Sequence, residues 1–264
     1  EPHIEIFEID PNRIRTPEER FHYGPKLLNR KFKIGFACIH RTDDGWEADN
    51  CVEVRTNDCG VVPVLADGKV ERFMVFLGGG QGERNGKPTF CALGHPFGVL
   101  AADDLVRGLD AIIQVHQEWG DRQNRHWARL KYVIHKMGMD WYRQQVRARG
   151  VRFDPPIPGF DPGPLRLHHG WMHLPATGLW AYGAFIEIGR IIDGPNGRQK
   201  TMVRPLMENY PIRLAITPND DLLFLDIPAD AREAFEADMA RFGYGQRNGR
   251  AFSVLRRHSV ACVG

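Results

Sequence analysis

Apolar and polar residues alternate along residues 31–38, where Phe32, Ile34, Phe36 and Cys38 share one side of an extended chain and Lys31, Lys33, Gly35 and Ala37 share the other. The pattern predicts a strand whose second face is cationic at one end and nearly bare at the other. Residues 60–66 and 70–77 are two β-rich runs joined by Asp67-Gly68, a dipeptide suited to the positive φ angles of a type I′ hairpin. The second run leads into Gly78-Gly79-Gly80-Gln81-Gly82, where backbone can approach a ligand or another segment closely. Over 102–119 the spacing of Leu105, Leu109, Ile112, Ile113, His116 and Trp119 is helical, with Gly120 just beyond. A second helix is expected over 124–137, with Trp127, Leu130, Ile134 and Met137 as its apolar stripe, and a third over 140–149.

Five prolines between Pro155 and Pro164 then predict an extended linker and a domain boundary. Beyond it the order is a strand (184–188), a helix (199–209), two strands (212–217 and 222–227) around Pro218-Asn219-Asp220-Asp221, and a helix (229–242) buried through Ala231, Phe235, Met239 and Phe242. This β-α-β-β-α order is five-sixths of a ferredoxin-like βαββαβ unit, and the expected class is α+β. The divisions read this way are an incomplete arm (1–24), a first α+β domain (25–152), a ferredoxin-like half-domain (153–250) and the start of a further domain (251–264).

At 264 residues and 42% hydrophobic the chain can bury one large core or two moderate ones. Its 35 Lys and Arg nearly balance 33 Asp and Glu, so overall charge gives no reason to expect nucleic acid or an anionic membrane as partner. No apolar run approaches the roughly 20 residues of a membrane span and no signal peptide is evident, so a cytoplasmic protein is expected. Both ends read as cuts through a longer chain. Cys38, Cys51, Cys59 and Cys91 contain no C-x-x-C pair and read as reduced, buried thiols.

Any basic site must therefore be local. Lys31 and Lys33 at i, i+2 can converge on one anion, and Arg122, Arg125 and Arg129 on one side of the expected second helix could grip carboxylates or phosphates. The glycine run could form an anion nest. The histidines of His168-His169-Gly170-Trp171-Met172-His173 lack an i, i+4 pair and an adjacent carboxylate, and read as surface or packing residues. Spacing alone leads to an anion-binding α+β protein.

At these residues the chain resembles the sirohaem and iron–sulfur sulfite or nitrite reductase haemoproteins. Leu28-Asn29-Arg30-Lys31-Phe32-Lys33 is similar to that family's L-P-R-K-F-K strand, and Phe76 to Gly82 to its glycine-rich turn. The most specific match is 120–132, which resembles G-x-R-x-x-R-x-x-A-R-x-K-Y. Residues 212–219 are similar to the strand and turn R-x-T-x-N, and Arg256 to Cys262 resembles the lead-in R-x-x-S-x-A-C to a first cluster cysteine. Asn29 stands where the family has Pro, and Asp220-Asp221 where it has Gln-Asn.

The resemblance implies a fragment of an assimilatory sulfite reductase that reduces sulfite to sulfide by six electrons at sirohaem coupled to a 4Fe-4S cluster. A ferredoxin-linked nitrite reductase is the alternative, and a non-catalytic module holding an anion or tetrapyrrole is a third reading. By similarity Arg30, Arg125, Arg129 and Lys131 would hold the macrocycle's carboxylates, Gly78, Gly79 and Gly80 would let backbone lie near the ring, and Asn219 would contact it. Lys31 and Lys33 would face the substrate anion. The near-bare Gly35 and Ala37 on the same strand face would leave room for a large ring, an inference from the strand pattern and not from the resemblance. Cys262 would be one of four cluster thiolates, the others lying outside this chain. Ferredoxin or a flavoprotein reductase would supply electrons, and the fragment alone is expected to bind no intact cofactor pair.

Overall fold

The computed structural model describes residues 27–42 and 45–259; the expected arm over 1–24 and Cys262 lie outside them. The fold is α+β, built on two four-stranded sheets.

The first sheet has the order β1 (Ile34–Phe36), β4 (Cys59–Ala66), β5 (Lys69–Leu77), β6 (His95–Ala101). β1 runs parallel to β4, and the other neighbours are antiparallel. The expected hairpin is present, with Asp67 at φ 51° and Gly68 at φ 73°. Between β1 and β4 the chain makes a separate ladder of β2 (Cys38–Thr42) and β3 (Gly45–Asp49), which the sequence reading does not contain.

Alternation along β4 and β5 buries both faces of this sheet. Val61, Val75 and Leu77 pack with Ile112, Val115, Leu130 and Tyr142 of three helices, while Val62, Met74 and Phe76 pack with Val54 and, from the proline-rich linker, Ile157 and Phe160. The linker is thus part of the packing: Val99 and Asp154 exchange backbone hydrogen bonds of 3.0 and 2.9 Å.

The helices are α1 (Leu105–Trp119), α2 (Leu130–Met137) and α3 (Met139–Ala148). The expected second helix is shorter than its apolar spacing suggests. Asp121 Oδ1 accepts from the amides of Gln123 (2.8 Å) and Asn124 (2.7 Å), and the Asn124 side chain accepts from the His126 amide (3.0 Å). These bonds occupy the amides in a turn, which leaves a single 3-10 turn at Arg125–Trp127 before α2 begins.

The second sheet has the order β11 (Arg213–Ile216), β12 (Leu222–Ile227), β8 (Leu179–Ala184), β7 (Gly170–Leu174), all antiparallel. A two-residue ladder, β9 (Asp193–Gly194) with β10 (Gly197–Arg198), leads into α4 (Gln199–Asn209), and α5 (Arg232–Arg241) follows β12. Met202, Leu206, Phe224, Ile227, Phe235 and Met239 form the core beneath α4 and α5. The expected β-α-β-β-α order holds, with its first strand displaced toward the N-terminus. β7 is the surprise: it precedes the unit in sequence and pairs beside β8, where the closing strand of a βαββαβ sheet would lie. A small ladder, β13 (Gln246–Arg247) with β14 (Arg250–Ala251), and a last turn of helix, α6 (Val254–Arg257), complete the described chain.

Two expectations about surface and space are corrected here. Cys38 and Cys91 are exposed, and of the four described cysteines only Cys59 is buried. Gly35 and Ala37 are buried, and a Cβ on Gly35 would lie 2.5 Å from Asn57 Nδ2. The segment after β3 folds back over that face, so it offers no floor for a ring.

Candidate functional site

Arg30 and Lys31 from the lead-in to β1, Arg84 from the loop after β5, and Arg125 and Arg129 from the turn before α2 line one open cavity of about 330 Å³. Glu83 is the one carboxylate among the lining residues, which also include Thr89, His126 and Tyr132. Arg30, Lys31 and Arg125 have no ion-pair or hydrogen-bond partner among the described residues. Four of the expected cations, Arg30, Lys31, Arg125 and Arg129, are thus brought to one cavity across nearly a hundred residues of chain.

Its foundation is Asp58, a residue the sequence reading missed. Asp58 is fully buried, accepts from Arg129 Nη2 (2.7 Å) and Nε (3.2 Å), and through Oδ2 also from the Lys33 amide (2.9 Å). One carboxylate thus fixes both the lysine segment and the arginine turn, and neutralises one of the five lining cations. Asn29 adds a second tie: its Nδ2 donates to the carbonyls of Asp121 (3.2 Å) and Ala128 (3.0 Å). A proline here could make neither bond, which gives the departure from the family's motif a structural role. Arg122 points elsewhere and bonds the carbonyls of Leu27 (2.8 Å) and Gln117 (2.9 Å).

Lys131 does not line the cavity. It is buried, and its ammonium donates to the carbonyls of Gly80 (3.0 Å), Gly82 (2.8 Å) and Phe90. It also lies 5.4 Å from the Phe90 ring centroid and 5.1 Å from that of Tyr132. Desolvation first, and the nearby Arg129 second, lower its pKa. Its work is to gather the glycine-rich loop. The glycines likewise answer to the chain itself: a Cβ on Gly79 would meet the Arg55 and Asn57 carbonyls at 2.2 and 2.4 Å, and one on Gly80 would meet Arg129 Nη1 at 2.9 Å. Of the glycine run only Gly82 lines the cavity.

Lys33 is exposed and outside the cavity lining, although its backbone is held by Asp58. Asn219 lies on the β11–β12 turn; its Nδ2 is buried and has no partner. That turn is held from inside by Asp221, which accepts from the Ile186 amide (2.7 Å) and pairs with His169 Nε2 (2.7 Å). Asp221 accounts for one of the two changes at this turn. An orphaned amide beside a fixed turn, together with unpaired cations around a cavity, fits a polar or anionic group bound to this chain.

Beneath the lysine segment Phe32 packs at 5.5 Å against the ring of His116, which is fully buried with both ring nitrogens unpartnered. Burial is the main cause that pushes its pKa down to about 4 from 6.5, with Asp58 opposing. Below pH 6.5 the unfolded chain takes up a proton that the folded chain refuses, so stability falls as pH drops from about 6.5 to 4. Between pH 7 and pH 4.5 this residue is expected to remove about 2–3 kcal/mol. Urea unfolding of the chain and of His116→Leu at both pH values checks it; an equal acid loss in the variant assigns the effect to other groups.

The profile of the family described as nitrite and sulphite reductase 4Fe-4S domain matches residues 9–152. Among curated proteins, the sulfite reductase (NADPH) hemoprotein beta-component of Geobacillus kaustophilus is 30% identical over 272 residues, covering 99% of this chain and 44% of its own length. That of Shewanella piezotolerans is 32% identical over 265 residues, covering 99% and 45%. The ferredoxin sulfite reductase of Synechococcus elongatus is 31% identical over 242 residues, covering 91% and 37%. The structure of the Mycobacterium tuberculosis NirA protein superposes with a TM-score of 0.70 at 25% identity, over 91% of this chain and 40% of that one. The chain thus spans less than half the length of the relatives it matches. With more than half of its residues inside the family profile, and its motif cations drawn around one cavity, the chain belongs to the nitrite and sulphite reductase 4Fe-4S domain family.

Proposed function

We propose that this chain supplies the cationic wall of a sulfite reductase active site, holding sirohaem carboxylates and presenting lysine to the substrate anion. The observation that carries this reading is the shared cavity of Arg30, Lys31, Arg125 and Arg129. A polycarboxylate macrocycle can be desolvated only against close cations, and guanidinium groups meet carboxylates with two parallel hydrogen bonds. Arg30 and Arg125 are the groups left free for this; Arg129 keeps Nη1 available while Asp58 orients it. Asn219, whose buried amide nitrogen has no partner, is assigned to the same group although it does not line the cavity.

Sirohaem coupled to a 4Fe-4S cluster supplies the electron chemistry when bound, with Cys262 as one thiolate. Lys31 contributes a positive charge where oxyanion charge develops and a proton at Nζ that an oxygen leaving as water can take. Lys33, two residues along the same segment but outside the cavity lining, is assigned the same work. An edge of the macrocycle is assigned to this cavity, and the rest of the site to the part of the relatives' length that this chain does not span. The proposed donor is a flavoprotein reductase or ferredoxin, a reading supported by relatives named for NADPH and for ferredoxin. The three curated relatives named above bear sulfite reductase names, which supports sulfite over nitrite as the substrate.

The test uses the complete protein. Lys31→Met is expected to keep the sirohaem absorption band and lower sulfite turnover by roughly 10²-fold or more. Arg30→Ala with Arg125→Ala is expected to lower sirohaem content in protein that remains folded. Full turnover in the first variant, or full sirohaem occupancy in the second, would overturn the assignment.

A further inference from the structure

Away from the cationic cavity, three side chains with metal-binding atoms converge where β3 ends and the linker to the second sheet passes. Asp49 closes β3, Cys51 follows two residues later, and His168 reaches them from 119 residues downstream of Asp49. One ligand atom of each lies within 4.8 Å of the others. His168 Nε2 is 3.1 Å from Asp49 Oδ1 and 3.0 Å from Oδ2, and Oδ1 also accepts from the Cys51 amide at 3.1 Å. Asp49 and His168 are largely buried, at 13% and 16% side-chain exposure.

The surroundings hold this arrangement in place. Asn50, buried between the two ligands in sequence, donates Nδ2 to the Gly163 carbonyl (3.0 Å) and accepts from the Val54 amide (2.9 Å). Hairpin and linker are therefore clamped side by side before any ion arrives. His168 keeps a left-handed backbone, φ 59°, which turns it toward Asp49. Cys38 stands opposite Asp49 in the β2–β3 ladder. Opposed residues project from the same face with Cβ atoms about 4.5–5.5 Å apart, so its thiol is within reach of the cluster.

We propose that Asp49, Cys51 and His168, completed by Cys38 or by water, form a Zn²⁺ site that staples the β2–β3 hairpin to the linker. A mixed sulfur, nitrogen and oxygen set suits zinc, whereas calcium and magnesium take oxygen alone. Bonds of about 2.0–2.3 Å in a tetrahedron place ligand atoms roughly 3.3–3.8 Å apart, so the cluster needs to close by about 1 Å. Side-chain rotation supplies that. On binding, Cys51 releases its thiol proton to solvent and its sulfur coordinates as thiolate. The ligands come from both sides of the hairpin–linker junction, so the ion would resist their separation. This inference does not rest on the sirohaem reading.

The experiment titrates the chelator-stripped 264-residue chain with Co²⁺, then displaces it with Zn²⁺. One equivalent of Co²⁺ is expected to give the visible bands of a tetrahedral thiolate site, bleached by Zn²⁺, with a rise in Tm. Cys51→Ser and His168→Gln are each expected to weaken binding by at least the roughly 10- to 100-fold that loss of a supporting partner costs a metal site. Cys91→Ser is expected to leave it unchanged. Absence of tetrahedral cobalt bands, or unchanged affinity in both ligand variants, would overturn the proposal. Should a ligand variant fail to fold, alkylation of the unmutated chain decides: Zn²⁺ is expected to protect Cys51 from iodoacetamide, and equal labelling with and without Zn²⁺ would overturn it.

Discussion

Asp58→Ala is expected to lower the unfolding free energy by about 3–5 kcal/mol, since it leaves a largely buried guanidinium without its counter-charge. The loss has three parts in one carboxylate: two bonds from Arg129, one from the Lys33 amide, and the Coulomb attraction within a pair exposed by only 14% and 0%. Alanine satisfies none of them and opens space in a fully buried position. In a chain of this size the change corresponds to a fall in Tm of roughly 10 °C. Urea and thermal unfolding measure it, and Asp58→Asn, which keeps the volume and one acceptor, is expected to fall between. A variant as stable as the parent would mean that Asp58 is not the anchor of the cationic wall. In the complete protein the same change is expected to lower sirohaem content, because the lysine segment and the arginine turn lose their common support.

Gly79→Ala is the second large effect, with an expected cost of about 3 kcal/mol or more. The added methyl would sit 2.2 Å from the Arg55 carbonyl and 2.4 Å from that of Asn57, and both are backbone atoms that no rotamer change can withdraw. The strand end must move, and with it Gly80, whose carbonyl Lys131 holds at 3.0 Å. Gly82→Ala is the control. Nothing lies within 4 Å of its Cβ position, and its cost is expected to stay within about 0.5 kcal/mol. A chemical denaturation series on the two variants separates crowding from a general sensitivity of the loop.

These contrasts show which parts of the site could be read from residue order. Arg30, Lys31, Arg125 and Arg129 are legible because motif positions and charge mark them. Asp58 carries no such mark: a single Asp before a strand is an ordinary residue until burial and two partners from distant segments give it work. Lys131 shows the converse case. The resemblance implied a carboxylate partner for it, yet the carbonyls of Gly80 and Gly82 in the glycine-rich loop and that of Phe90 surround its ammonium. Histidine 168 shows the same limit from another side, since its carboxylate partner, Asp49, lies 119 residues away.

Residue order alone determined the α+β class, the hairpin at Asp67-Gly68 and the helices α1, α3, α4 and α5, because these depend on periodicities of two and 3.6 residues and on local turn chemistry; the family was legible only through the resemblance of its motif residues. The tertiary structure decided the rest. It placed β7 beside β8, cut the expected second helix back to Leu130 by occupying earlier amides in a turn, and closed the bare face of β1. It also sorted the cations into those free to meet a ligand and those already held. Burial and distance between remote segments set these outcomes, and neither quantity is a property of any local stretch of chain.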